Sequence, residues 1–421
     1  MKINFGMLLL LVCGAFGYGQ EERSWSRFRG PNGEGKGPLV HFGSNPNLQS
    51  SLVWKTEIPG DGNGSPVTWD KTIYLQSSEN LGSDRALIAV DLFSGKILWK
   101  ASIKGTNARI HPKNSMASST PACGPKGVYS VFWDGTNLTV TAHGHDGKIQ
   151  WSTDLGTYKS QHGAGHSPVF HNGKVYVNFD QDNKAEVVSI DATDGKILWR
   201  TSRPPFRSSY STPILRKMED GKTELVVAST AGFAGYDLLT GVENWANPTK
   251  HAKNPLRMVS SPVLLPGGLI FAGGGDGSGE RQALAVPAGK NDAAPVWQDI
   301  KSFPYVPTSL AVGENIISLG DKGFLTINKA ATGEQLTQIR LGGIFSASPV
   351  LSGKDLVIAV SETGKIILIN PLNPKMKPTS IEVGEEVFAT PALHGGLLFI
   401  KGRKTLFCLG QPKTQIEGHQ Q

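Results

Sequence analysis

The sequence predicts an all-β chain folded as an eight-bladed β-propeller, a closed ring of four-stranded sheets, and three observations carry the prediction. Proline-marked strand starts recur at Pro66, Pro121, Pro168, Pro213, Pro262, Pro307, Pro349 and Pro391, spaced about 42 to 55 residues apart, which is the period of a propeller blade. Tryptophans at 54, 99, 151, 199, 245 and 297 keep a parallel period before fading in the last third. No segment sustains the 3.6-residue apolar period of a helix, and 51 Gly and 26 Pro in 421 residues supply turns at well above the usual rate.

Taken in order, residues 1–19 read as a signal peptide. Lys2 is its positive end, Met7–Val12 lie in a short apolar run, and Gly17-Tyr18-Gly19 is a small-x-small site before Gln20. Lipidation at Cys13 is disfavoured, because Val12 stands where a small residue is needed. The chain is therefore expected to be exported, periplasmic or secreted, with no transmembrane segment. Residues 20–47 form a flexible N-terminal arm pinned by Trp25 and Phe28. Residues 48–411 make the propeller and 412–421 a flexible tail.

Within the propeller each unit opens on a Ser/Thr-Pro-aliphatic start, as in Ser65-Pro66-Val67 and Ser167-Pro168-Val169. It continues to an apolar strand, an Asp, a glycine turn and a strand carrying Trp, as in Val90-Asp91…Gly95-Lys96-Ile97-Leu98-Trp99 and Ile190-Asp191…Gly195-Lys196-Ile197-Leu198-Trp199. Asp91, Asp191 and Asp237 stand four residues before a turn glycine, where a carboxylate accepts turn N–H groups, so they read as structural. One Trp per blade suits docking on the next blade, burying ~150–250 Å² for several kcal/mol at about 25 cal/mol/Å². After Trp297, Leu336, Phe345 and Phe388 are expected to take over that packing. The unit after Pro391 is one strand short, and Ser51–Lys55 precedes the first start as an orphan. The N-terminal strand is therefore expected to close the last blade and remove the open edge.

The Gly-Lys-Ile-Leu-Trp repeats resemble the tryptophan-docking repeats of the pyrroloquinoline-quinone (PQQ)-like β-propeller superfamily, the quinoprotein alcohol dehydrogenase-like fold. The resemblance covers nearly all of the chain after the arm. Trp25–Pro31, Asn114–Pro121 and Phe345–Pro349 are similar to segments of exported bacterial PQQ-like proteins of unassigned function. For the enzymes, the resemblance implies a Trp floor, a vicinal Cys-Cys ring, carboxylates and an amide around Ca²⁺, and an Asp base. Cys123 and Cys408, the thiols left after the signal, are far apart, so PQQ with Ca²⁺ is possible but not supported by the site residues.

Other chemistry is less supported. Gly30–Gly37 nearly spells a phosphate loop but ends on Gly37 and Pro38 where a hydroxyl and a helix are needed. His143 and His145 could share a strand face as a metal pair, yet counting back from Trp151 places His143 at the turn position of Asp91. No metal site is predicted. A formal charge of +7 is spread too evenly for a nucleic-acid partner.

The segments leading into the blade starts converge at one mouth of the channel. There Arg109, His111, His162, His166, Arg207, Tyr210, Arg257 and Tyr305 form the expected ligand site, with Asp61, Asn63, Lys113, Phe345, Glu385 and Phe388 nearby. This cationic, aromatic set suits an anionic or planar ligand or an acidic peptide. The expectation is a non-catalytic, monomeric binding or assembly scaffold of the cell envelope, holding an envelope protein, a polymer or a small anion. The alternative is a PQQ-dependent alcohol or sugar dehydrogenase.

Overall fold

The computed structural model describes residues 24–204, 206–249, 256–276, 279–299, 303–373 and 377–411. The expected signal peptide and C-terminal tail lie outside them. Eight sheets form the predicted ring, seven of four strands and one of five. Blade 1 shows the pattern, with antiparallel strands Val67–Trp69, Thr72–Glu79, Asp84–Asp91 and Ile97–Lys104 running from the channel outwards. The two middle strands are buried on both faces over most of their length, with Gln76 and Ser77 buried beside the apolar Ile73–Leu75, whereas the outermost strand alternates half-buried and exposed.

Each turn aspartate behaves as its spacing predicts. The Asp91 carboxylate accepts from the Phe93 and Ser94 N–H groups at 3.2 and 2.8 Å and from the Ser94 hydroxyl at 2.7 Å. Asp237 repeats this on Leu239 and Thr240. The turn then presents its glycine to the preceding blade. Trp54, Trp99, Trp151, Trp199 and Trp297 lie over Gly95, Gly147, Gly195, Gly241 and Gly333, where a Cβ would come within 2.5 to 2.7 Å of the indole. Each indole N–H donates to a carbonyl of that same next blade, for example Trp151 Nε1 to Ala192 O at 3.0 Å. Trp245 departs from the rule and donates to Glu224 of its own blade.

Two expectations of register are corrected. His143 is not a turn residue: it ends a strand opposite Ile149, and Trp151 pairs with Ala142, because this turn is one residue shorter than that of blade 1. Blade 6 starts at Thr308-Ser309, one residue after Pro307, as the inner hydroxyls reveal. Ser65, Thr120, Thr212, Ser261, Thr308 and Ser348 each donate a backbone N–H to the equivalent Ser or Thr hydroxyl of the next blade at 2.9 to 3.0 Å. The Ser/Thr-Pro step is thus a belt around the channel. Leu336 is 47 % exposed and fills no joint, while Phe345 is buried between blades 6 and 7.

The ring closes as predicted. Leu52–Glu57 pairs antiparallel with Thr405–Leu409, Trp54 opposite Cys408, so blade 8 draws strands from both ends of the chain. The arm, by contrast, is a plug rather than a flexible tether. Trp25 O, Ser26 O and Gly35 O accept from Thr68, Cys123 and Leu351 on inner strands of blades 1, 2 and 7, and Lys36–Gly37 adds a parallel fifth strand to blade 7. Arg29, with no exposed surface, donates to the Thr308, Ser309 and Pro349 carbonyls as well as to Gly33 and Glu34 of the arm. Its left-handed backbone (φ 62°) begins a series of tight turns through Gly35. The near-phosphate loop is therefore packing material, and it closes the channel beyond the belt.

Candidate ligand-binding mouth of the channel

Inner strands run away from the belt, so the connections that precede it gather at the open end. They are joined there by the connections between the second and third strands of each blade, because antiparallel order returns the chain to that face. Sequence reading considered only the first set. It therefore missed Asp182, Asp321 and Glu362, acidic residues on the second set; their position just after each second strand was the available signal.

The two halves of the mouth differ. Around blades 7, 8 and 1 charge is paired: Lys113 bridges to Glu362 at 2.7 Å, Asn63 donates to Lys113 O, and Arg403 meets Asp61 at 2.9 Å while covering the Phe388 ring. Glu385 accepts from the backbone of Lys404 and Thr405. Buried Lys401 is held down to about 8 by desolvation, against the pull of Asp61 and Glu385.

Over blades 3 to 6 cations prevail. Arg257, 2 % exposed, is fixed by a backbone bridge to Gly275 and donates Nη2 to Gln161 at 3.0 Å. Its Nη1 is 3.7 Å from Asp182, and neither Nη1 nor Nε has a hydrogen-bond partner among the described residues. Tyr210 is anchored by its N–H to Met258 O and its hydroxyl to Ser160. Arg207 is half-buried on the same connection. Tyr305 donates its N–H to Asp321 and lies under the Arg281 guanidinium, 5.1 Å away. Burial raises the Tyr305 hydroxyl, with Arg257, Arg207 and Arg281 opposing.

His162 faces His111 at 4.9 Å between ring centroids. Desolvation lowers its pKa to about 4, helped by Arg257, His111 and Arg207, so it is neutral at pH 7. His166 lies deeper, packed edge-on against Tyr158 with Nε2 on Asp180 O, and burial takes it to about 4 as well. Arg109 is exposed and joins the cluster through no contact among the described residues. The structure thus gathers His111, His162, Arg207, Tyr210, Arg257 and Tyr305, sets His166 beneath them and leaves Arg109 at the rim.

The remaining histidine pair is structural. His143 is buried against Trp99, and His145 bonds the Tyr74 hydroxyl and Gly124 O. Among the described residues no group of three or more His, Cys, Asp or Glu side chains could hold a metal. Cys123 and Cys408 are buried free thiols in blades 2 and 8. The residues present do not fit a calcium–quinone centre with its adjacent cysteines. No described helix is long and apolar enough to cross a membrane.

The chain is similar in part to several known proteins. A family profile described as outer membrane protein assembly factor BamB matches residues 136–291. A polyvinylalcohol dehydrogenase from a Pseudomonas species is 26 % identical over 192 residues, 40 % of this chain but 28 % of that protein. One from a Sphingopyxis strain is 24 % identical over 177 residues, 25 % of its length, so this chain matches only about a quarter of either relative. Among solved structures, BamB from Moraxella catarrhalis covers 86 % of this chain and 98 % of its own at TM-score 0.59 and 11 % identity. A quinohemoprotein alcohol dehydrogenase from Pseudomonas putida covers 95 % of this chain and 82 % of its own, at TM-score 0.54 and 13 % identity.

Proposed function

We propose that this member of the PQQ-like β-propeller superfamily is a binding propeller of the cell envelope, whose mouth holds a carboxylate-bearing ligand without oxidising it. Arg257 carries the reading. Its guanidinium is held at the mouth by Gln161 and lies 3.7 Å from a single acid, Asp182, with Arg207 and Arg281 beside it, so positive charge exceeds negative on this side and favours a ligand carboxylate. Tyr210 and Tyr305 offer flat flanks, Arg207 and Arg281 add long-range attraction, and the plug makes the channel a one-ended well. The BamB family profile supports the assembly version of this role, in which the carboxylate belongs to an acidic partner segment.

A second reading, an oxidoreductase acting on polyvinyl alcohol, is favoured by the names of the sequence relatives. The sequence holds no pair of adjacent cysteines, which weighs against it.

The test is a calorimetric titration of the purified chain with citrate and with PQQ, a planar tricarboxylate, followed by dye reduction with polyvinyl alcohol in the presence of PQQ and Ca²⁺. Binding that falls about tenfold or more in Arg257→Gln, with no dye reduced, is expected. Turnover of the alcohol, or binding indifferent to the arginine, would overturn the proposal. Arg207→Gln, at a half-buried position, keeps the test valid if Arg257→Gln does not fold.

A further inference from the structure

One of the connections that gather at the mouth runs across it. The chain passes from each outermost strand to the next inner strand at this face, and the passage into blade 2, residues 105–121, is the longest of the eight between described strands. That into blade 8 is only residues 383–391. The tip of the long connection meets both sides of the ring. The His111 N–H donates to His162 O at 3.1 Å, and the Asn114 side chain donates to the carbonyls of His162 and Ala164 at 2.7 and 3.1 Å, on the connection entering blade 3. On the other side the Lys113 ammonium donates to Glu362 at 2.7 Å, in the turn between the second and third strands of blade 7. Blades 3 and 7 stand opposite one another in a ring of eight, so residues 111–114 span the mouth. The arm already closes the far end, which leaves this strap over the remaining entrance.

The strap is held unequally. At blade 3 its three bonds all end on backbone carbonyls, and Ile110 packs tightly enough on Gly163 to take the place of a Cβ there. Between the two sides Asn63 steadies it, donating its side-chain amide to Lys113 O at 2.9 Å and its N–H to the Ser115 hydroxyl at 3.0 Å. At blade 7 the tie is one ion pair. Lys113 is 52 % exposed there, and a pair so open to water is weak. Glu362, 14 % exposed, is fixed in place and also accepts from the Ser346 hydroxyl at 2.5 Å. The acid is a fixed post and the lysine is the part free to leave it, so the strap lifts most readily at blade 7 while seated at blade 3.

We propose that residues 111–114 form a lid over the channel, latched by the Lys113–Glu362 pair, and that a ligand enters when the latch opens. The proposal rests on reading the mouth as a binding site and adds how that site is reached. A carboxylate ligand competes with Glu362 for Lys113, so the ligand chemistry that the mouth favours also loosens the latch.

The test follows citrate association with the whole chain by kinetic calorimetry, and hydrogen exchange of residues 105–121 without ligand. Lys113→Gln removes the latch. Loss of a cation alone slows the arrival of an anion, whereas an unlatched lid is expected to speed it at least about threefold. Exchange of the strap is expected to rise at least about fivefold in the same variant. In the converse experiment K113C/E362C is joined by a flexible bis-methanethiosulfonate linker that restores the length of the two side chains. The linked protein is expected to bind no citrate until dithiothreitol releases it; the native thiols, Cys123 and Cys408, are buried. Slower or unchanged association in Lys113→Gln, unchanged exchange of the strap, or a linked protein that binds citrate as the unlinked one does would each overturn the lid. Citrate that binds neither the native chain nor Lys113→Gln overturns the reading of the mouth instead, and the exchange result then decides the lid by itself.

Discussion

Three histidines, His143, His162 and His166, are held to about 4 chiefly by desolvation, so each is neutral across the physiological range. In the unfolded chain they titrate near 6.5. Because their folded values are depressed, the stability they confer is complete above about pH 6.5 and is lost as pH falls towards 4. For the deeply buried His143 and His166 this is on the order of 3 kcal/mol each. Melting temperature is therefore expected to fall steadily from pH 6.5 to 4, and His143→Gln to flatten that slope. His162 adds a binding signature: a carboxylate brought beside it offsets Arg257 and Arg207 and raises its pKa. Mouth binding should then tighten between pH 7 and 5 with proton uptake, measurable as a buffer-dependent heat; no buffer dependence would remove His162 from the site. The cationic character of this mouth was legible in the residues before each blade start. Asp182 and Asp321 were not, because they reach the mouth from strands whose return to that face is a property of the assembled sheet.

At the level of the blade, the unit of stability is the Trp-over-Gly joint. Gly195 combines a left-handed backbone (φ 77°) with an indole 2.7 Å from where a Cβ would stand. Gly195→Ala is expected to destabilise by about 2 kcal/mol or more through strain and overpacking, and Trp151→Ala by about 3–5 kcal/mol through the lost fill. Urea unfolding measures both; an alanine at 195 with unchanged midpoint would show that the joint can slide. The Trp and Gly positions were readable as a period, but register was not. One residue fewer in the His145 turn moved His143 from turn to strand end, and Thr308 replaced Pro307 as the start of blade 6. Both slips come from reading one marker along the chain, whereas register is set by the partner strand and the neighbouring blade.

For the whole molecule, the ring is closed twice, by the strand Leu52–Glu57 on its outside and by the arm in its channel. Arg29 satisfies five carbonyls with one buried guanidinium, and burial lowers its pKa to about 9. Arg29→Ala leaves those carbonyls dry and is expected to cost about 3 kcal/mol or more. A chain beginning at residue 38 should keep its blades but exchange the inner-strand amides Thr68, Cys123 and Leu351 faster, as seen by hydrogen exchange. Unchanged protection there would mean that the arm does not seal the channel. The proportions of glycine, proline and tryptophan and their period determined the fold, the count of eight and the closure, because each blade repeats one local chemistry every ~45 residues. Only the tertiary structure decided the plug, the hydroxyl belt and the acids of the mouth. Those depend on which distant segments a closed ring brings face to face, and no local pattern records that.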